Sequence, residues 1–170
     1  PMVFNNDILS DAWESNKNVI IEFLAAGKKV VFLTLGDPMF YSTYIYVFRL
    51  LENCGYPIET IPGVTAFCAI GSKLGYPLVE GNNVLSVIPA TIPEDKLEQA
   101  LEMADNVVLM KVYKNCSQVI KKLAKHGLVD DAVMINRCGL EDEQVVRNLE
   151  DICDQKINYL STILARRNKA

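Results

Sequence analysis

Histidine is nearly absent from this chain, and its cysteines keep apart. A single histidine, His126, in 170 residues leaves no material for a Ser-His-Asp triad or a histidine-built zinc site. It stands beside Gly127 at the predicted end of a helix, where capping or solvation is its expected role. The five cysteines, Cys54, Cys68, Cys116, Cys138 and Cys153, contain no Cys-x-x-Cys pair. An odd, scattered set fits reduced thiols in a cytoplasmic protein, and no metal site is expected. Long apolar runs are missing as well. The longest, Val30–Leu35 and Val107–Met110, are strand-sized, so no bilayer-spanning helix and no signal peptide are expected. A net charge of −4, with no basic stripe carrying interleaved aromatics, argues against a nucleic-acid partner. Lys121, Lys122 and Lys125 read as the solvated face of a helix.

What remains is ordinary material for a packed α/β protein. Half the residues are hydrophobic and 22% are charged, in a chain long enough for one domain or two small lobes. Organisation centres on VVFLTLGDPMFYSTY, residues 30–44. The β-branched run Val30–Leu35 predicts a buried parallel strand, stopped by the turn triplet Gly36-Asp37-Pro38, with a helix from about Ser42 to Asn53. Its inward positions are Ile45, Phe48 and Leu51, with Gly55 beyond its end. A strand that ends in a glycine loop before a helix is where open α/β sheets place ligands. Gly36 permits close approach to the backbone, Asp37 offers a carboxylate and Pro38 stiffens the turn. The same residues also make a plain turn, in which Asp37 accepts backbone hydrogen bonds. A second strand-end loop, Ile61-Pro62-Gly63-Val64-Thr65-Ala66, follows a predicted strand at Pro57–Ile61 and opens a helix running to about Leu74.

Elsewhere the periodicities predict a helix over Asp7–Ala26, with Trp13, Ile20, Phe23 and Leu24 inward and Gly27 closing it. Turn formers cluster in residues 75–83, the best linker. Beyond it, strands are predicted at Val84–Ile88, Val107–Val112, Ala132–Asn136, Gln144–Asn148 and Asn158–Ala165. Helices are predicted at Pro93–Ala104 and Cys116–Lys125, and the tail Arg166–Ala170 reads as polar and frayed.

The pairing of GDPMFYSTY with PGVTA resembles the tetrapyrrole (cobalamin-type) methyltransferase family, and the Tyr159–Leu164 ending resembles its precorrin-2 C20-methyltransferase branch, including the cobalt-factor II form. The resemblance runs from about Val30 to Arg166. It implies two α/β lobes, an N-terminal one with a parallel sheet (residues 1–79) and a C-terminal one with a mixed sheet (residues 80–170). It also implies a first strand and a GxGPGDP-like loop that this chain, entering at Pro1-Met2-Val3-Phe4, is expected to lack. Carried over, the family's S-adenosylmethionine contacts fall on Gly36, Asp37, Pro38, Tyr41, Thr65, Ala66, Met110 and Gly139. The loop Asn136–Gly139 departs from the family's asparagine-glycine pattern. Ser42 and Thr43 serve equally as helix N-caps or ligand contacts, and Met110 is otherwise a plain core methionine. Tyr41, Tyr44 and Tyr46 fit a tetrapyrrole groove or ordinary packing alike. No side chain is assigned as a general base.

The implied activity is C20-methylation of precorrin-2 or cobalt-factor II, with S-adenosylmethionine as methyl donor, a tetrapyrrole as partner and a homodimer as assembly. Rivals are methylation of uroporphyrinogen III, of another corrin carbon or of diphthamide, and a non-catalytic cofactor-binding remnant.

Overall fold

The computed structural model describes residues 6–153 and 155–167. By packing, the chain divides into two compact units, residues up to Thr65 and residues from Ala66 on. In the first, α1 (Asn6–Ala25) packs on α2 (Tyr44–Leu51). Trp13 of α1 stacks flat on Tyr46 of α2, ring centroids 4.1 Å apart. The expected glycine stop is present: Gly27 adopts φ 73°, its N–H donates to Leu24 O and the Lys28 N–H donates to Phe23 O. Phe23 itself lies exposed under the Lys28 ammonium, so it does not join the inward stripe. On α2 the buried face is Tyr44 and Val47, one step round from the predicted Ile45, Phe48 and Leu51.

The main correction falls on the parallel sheet of this unit. Among the described residues it contains no strand. Val30–Leu35 runs without a ladder, with Val31, Leu33 and Leu35 exposed by 77%, 86% and 82%, and Pro57–Ile61 is likewise irregular. An apolar β-branched run becomes a strand only when a neighbour pairs its backbone, and sequence pattern alone does not supply that neighbour. Each segment is tied instead through a side chain to the start of α2. The Tyr44 hydroxyl lies 2.8 Å from Thr60 Oγ1, and the Thr34 and Ser42 hydroxyls are 3.1 Å apart.

The second unit carries the α/β core. Here α3 (Ala66–Leu74), β1 (Leu85–Pro89), α4 (Glu94–Met103), β2 (Asn106–Met110), α5 (Cys116–Lys125), β3 (Val133–Asn136), β4 (Gln144–Val146) and β5 (Ser161–Arg166) follow in order, with short 3-10 turns at Val112–Lys114 and Leu149–Ile152. The five strands form one mixed sheet in the order β1-β2-β5-β3-β4, in which only β1 and β2 pair in parallel. Strand β5 is central: Ile163 faces Leu109 on one side and Met134 on the other, all fully buried. Leu101, Val119, Leu123 and Leu128 complete the core under the sheet. Pro93 sits just before α4 with φ −51°, and Glu94 and Asp95 occupy the first turn, where the helix dipole favours negative charge.

Arg166 and Arg167 are anchored, not frayed. Arg166 pairs with Asp131 and stacks over the Tyr76 ring. Arg167 donates to Leu101 O, Glu102 O and Ala104 O at the end of α4, and to His126 O at the end of α5. Those carbonyls have no partner within their own helices, and a guanidinium satisfies several at once. Residues 168–170 of the expected tail lie outside the described residues.

His126 closes α5, and its Nε2 lies 3.0 Å from Glu98 Oε1. Glu98 also takes Lys122, at 2.9 Å, and Lys125. Hydrogen bonds from Lys125, Lys122 and His126 hold the Glu98 carboxyl far below its ordinary 4.5, at about 2. A value lowered by folding stabilises the fold above the ordinary carboxylate range, and that contribution is lost as pH falls toward the folded value. Thermal midpoints measured from pH 5 down toward about 2 should therefore fall more steeply for the unsubstituted chain than for Glu98→Gln, with the pH slope as readout. Equal slopes would remove Glu98 from the acid response.

Candidate functional site

The two glycine loops named from the sequence come together in the first unit. Asp37 accepts the Met39 N–H on Oδ1 at 2.8 Å, shaping its own turn, and accepts the Gly63 N–H on Oδ2 at 2.9 Å. One carboxylate thus joins loops 26 residues apart. The loops also touch. A Cβ built on Gly63 would stand 2.2 Å from the Gly36 carbonyl oxygen, so residue 63 has room for hydrogen alone. Gly36 takes φ 75°, a conformation that glycine adopts at little cost. Pro38 is buried, and Tyr41, exposed, holds φ 49°.

Thr65 ends the second loop. Among the described residues its Oγ1 is the one buried side-chain oxygen or nitrogen without a hydrogen-bond partner. A buried hydroxyl left unsatisfied costs about 1–3 kcal/mol, so native proteins rarely keep one without use for it. Ala66, next in the chain, starts α3 and is exposed. Thr43 stands at the N-cap of α2 without capping through its side chain; Ser42 Oγ accepts the Tyr44 N–H instead. Of the three tyrosines left open, Tyr44 and Tyr46 are committed to packing, and Tyr41 stays at the loop surface.

Met110 and Gly139 lie in the second unit, at the end of the sheet to which β1, β2 and β3 all point their C-termini. Met110 closes β2, half-buried, opposite Thr162 of β5; its carbonyl accepts the Ala90 N–H at 2.7 Å. Asn136 closes β3 opposite Ser161, and Gly139 follows with φ 80°. The Gly139 N–H donates to Glu143, whose carboxylate also takes Lys73 of α3 at 2.7 Å. Those donors, Lys73 first, lower the Glu143 carboxyl, while burial raises the neighbouring Cys138 thiol.

Three residues other than glycine have positive φ: Tyr41 at 49°, Lys111 at 59° and Arg137 at 51°, counted among the described residues. Tyr41 lies in the first glycine loop. Lys111 and Arg137 directly follow β2 and β3, so they share the sheet end that carries Met110 and Gly139. Each such conformation costs about 1–3 kcal/mol, and strain of this kind gathers at functional sites. The sequence carries no signal for Lys111 or Arg137, because neither residue type favours that conformation. Glu143 was equally hidden, its partners being set by the fold. Asp37 was named as a candidate, but not its reach to Gly63.

A model of the tetrapyrrole (corrin/porphyrin) methylases matches residues 1–153. The chain belongs to this family. As a tetrapyrrole methylase it is 39% identical over 158 residues to the cobalt-precorrin-2 C(20)-methyltransferase of Salmonella typhimurium strain LT2, covering 91% of this chain and 65% of that one. It is 35% identical over 156 residues to the precorrin-2 C(20)-methyltransferase of Sinorhizobium sp., covering 92% and 63%. The methylase chain thus spans somewhat under two thirds of the length of these two relatives. In fold it resembles the uroporphyrin-III C-methyltransferase of Thermus thermophilus, solved with S-adenosylhomocysteine, at a TM-score of 0.67 and 20% identity over 90% of this chain and 72% of that one. The α/β class expected from the sequence is that of the family. No helix of the described residues is long and apolar enough to cross a membrane.

Proposed function

We propose that this tetrapyrrole methylase transfers a methyl group from S-adenosylmethionine to C20 of precorrin-2 or of its cobalt-bearing form, cobalt-factor II, in corrin synthesis. The C20 assignment is supported by the two relatives named for that reaction. The observation that carries the donor site is the Thr65 hydroxyl, buried and without a partner, at the end of a loop locked to Gly36-Asp37. An oxygen in that condition fits a polar ligand that completes its hydrogen bonding.

S-adenosylmethionine, when bound, supplies a methyl group already activated by its sulfonium. The chain therefore has to bind, orient and exclude water rather than provide a strong nucleophile. Gly36, Asp37 and Pro38 would line one side of the donor, Gly36 with a backbone that no side chain screens, and Tyr41 would lie beside them. Thr65 would take a polar group of the donor through its hydroxyl, with Ala66 next to it in the chain. The reading extends to a homodimer in the cytoplasm: the dimer rests on the family resemblance, and five free thiols suit a reducing compartment.

The test is methyl transfer from labelled S-adenosylmethionine to precorrin-2, cobalt-factor II and uroporphyrinogen III offered separately, with the methylated carbon located by NMR. Label at C20 of either of the first two is the expected result. Transfer only to uroporphyrinogen III, or binding without transfer to any of them, would replace the reading. Thr65→Val tests the donor site. It should leave stability unchanged or raise it by about 1–2 kcal/mol, since an unsatisfied hydroxyl is removed. The same change should weaken S-adenosylhomocysteine binding about tenfold, a loss near 1.4 kcal/mol. Unchanged affinity would take Thr65 out of the site.

A further inference from the structure

Asp37 stands in the loop expected to contact the methyl donor, yet both of its carboxylate oxygens already face backbone N–H groups. Oδ1 receives Met39 N–H and Oδ2 receives Gly63 N–H. Both neighbours are donors, so the position requires two acceptors on one short side chain. Asparagine offers one acceptor and would set its NH2 against the other N–H, while serine and threonine offer a single oxygen. Gly63 is pressed against the Gly36 carbonyl, so the strut has no slack. Thr65, with the unpartnered hydroxyl, follows two residues later. A second tie, from the Tyr44 hydroxyl to Thr60 at 2.8 Å, holds the segment entering this loop but does not touch the loop's amides.

We infer that Asp37 is a positioning residue for the donor site: its carboxylate fixes Gly63-Val64-Thr65 against the Gly36 loop and thereby sets the Thr65 hydroxyl for the ligand. Its share in the site is exerted through Gly63. This rests on the methyl-donor reading of the same loops. It differs from a direct-contact role because it couples Asp37 to Thr65 and leaves no separate bond between the Asp37 carboxylate and the donor.

The experiment is a double-mutant cycle on the whole chain, with S-adenosylhomocysteine as the probe in calorimetric titrations and amide exchange read at Gly63. Asp37→Asn should speed Gly63 exchange and weaken binding about tenfold, whereas in a Thr65→Val background the same change should cost about threefold or less, because the group it positions is gone. Asp37→Glu, which keeps two acceptors on a longer arm, should recover part of the affinity. Tyr44→Phe should lower the thermal midpoint but change affinity by no more than about twofold, since the loop amides keep their strut. An equal loss for Asp37→Asn in both backgrounds would assign Asp37 a contact of its own and overturn the inference. So would unchanged affinity despite faster Gly63 exchange, or a loss in Tyr44→Phe as large as in Asp37→Asn. If the unsubstituted chain binds no S-adenosylhomocysteine, the methyl-donor reading fails first. The inference falls with it, while the Gly63 exchange data still report whether the strut exists.

Discussion

Gly63→Ala should abolish tight binding of S-adenosylhomocysteine and destabilise the first unit. The added Cβ would meet the Gly36 carbonyl oxygen at 2.2 Å, and that contact is backbone against backbone, so no side-chain rotation relieves it. Either Gly36 or Gly63 must move, and both anchor the proposed site. Movement of Gly63 also draws its N–H away from Asp37 Oδ2. Overpacking of this kind costs about 1–3 kcal/mol, before the lost hydrogen bond is added. If most of that appears as lost affinity, binding weakens about a hundredfold, roughly 2.7 kcal/mol. Titration gives the affinity, and the fluorescence of Trp13, stacked on Tyr46 in the same unit, follows unfolding of that unit. An alanine variant that binds as tightly as the original would show that the two loops need not meet for the site to work.

Ile163→Ala should be the most damaging change to the second unit. Ile163 is fully buried at the middle of β5, the central strand, between Leu109 and Met134. Strands press from both sides, so the surroundings have little freedom to collapse into the space. Truncating a core isoleucine costs about 2–5 kcal/mol, and the upper half of that range is expected here because of the flanking ladders. Against a typical total of about 5–15 kcal/mol, that is a large fraction of the unit's stability. Urea unfolding followed by far-UV circular dichroism should show a lower midpoint with an unchanged slope. A loss below about 1 kcal/mol would mean that β5 is not the element on which the sheet is centred.

Much of the second unit was legible in the sequence. Helix α5 begins at Cys116 and ends at Lys125, as its periodicity predicts, because an apolar stripe bounded by Asn115 and Gly127 leaves little choice. Its strands were found within about three residues of their ends, since buried β-branched runs such as Val107–Leu109 are self-announcing once neighbours exist to pair them. The first unit misled for the same reason. Val30–Leu35 carries an equally strong strand pattern, and without a paired neighbour it forms no ladder. Pattern reports what a segment can bury, and pairing decides whether it does. The terminal arginines show the converse: polarity suggested fraying, whereas the free carbonyls ending α4 and α5 hold Arg167 in place.

In the site, glycine was the readable signal. Gly36 and Gly63 mark positions where a side chain is excluded, one by its φ and the other by contact. The bonds that shape the loops within each unit were not readable. Asp37 to Gly63 spans 26 residues, and Glu143 to Lys73 spans 70. Such partners are chosen by the fold, and any acidic residue near a turn would have looked the same. Left-handed Lys111 and Arg137 are hidden for a related reason, because their conformation is imposed by the strands they leave rather than favoured by their own side chains.

The most direct test of the central claim, that these loops form a methyl-donor site, is a calorimetric titration of the chain with S-adenosylhomocysteine, with Thr65→Val and Gly63→Ala alongside. The expected result is saturable binding of one molecule per chain, weakened about tenfold in the valine variant and about a hundredfold in the alanine variant. Absence of binding to the unsubstituted chain, or binding that neither substitution alters, would contradict it.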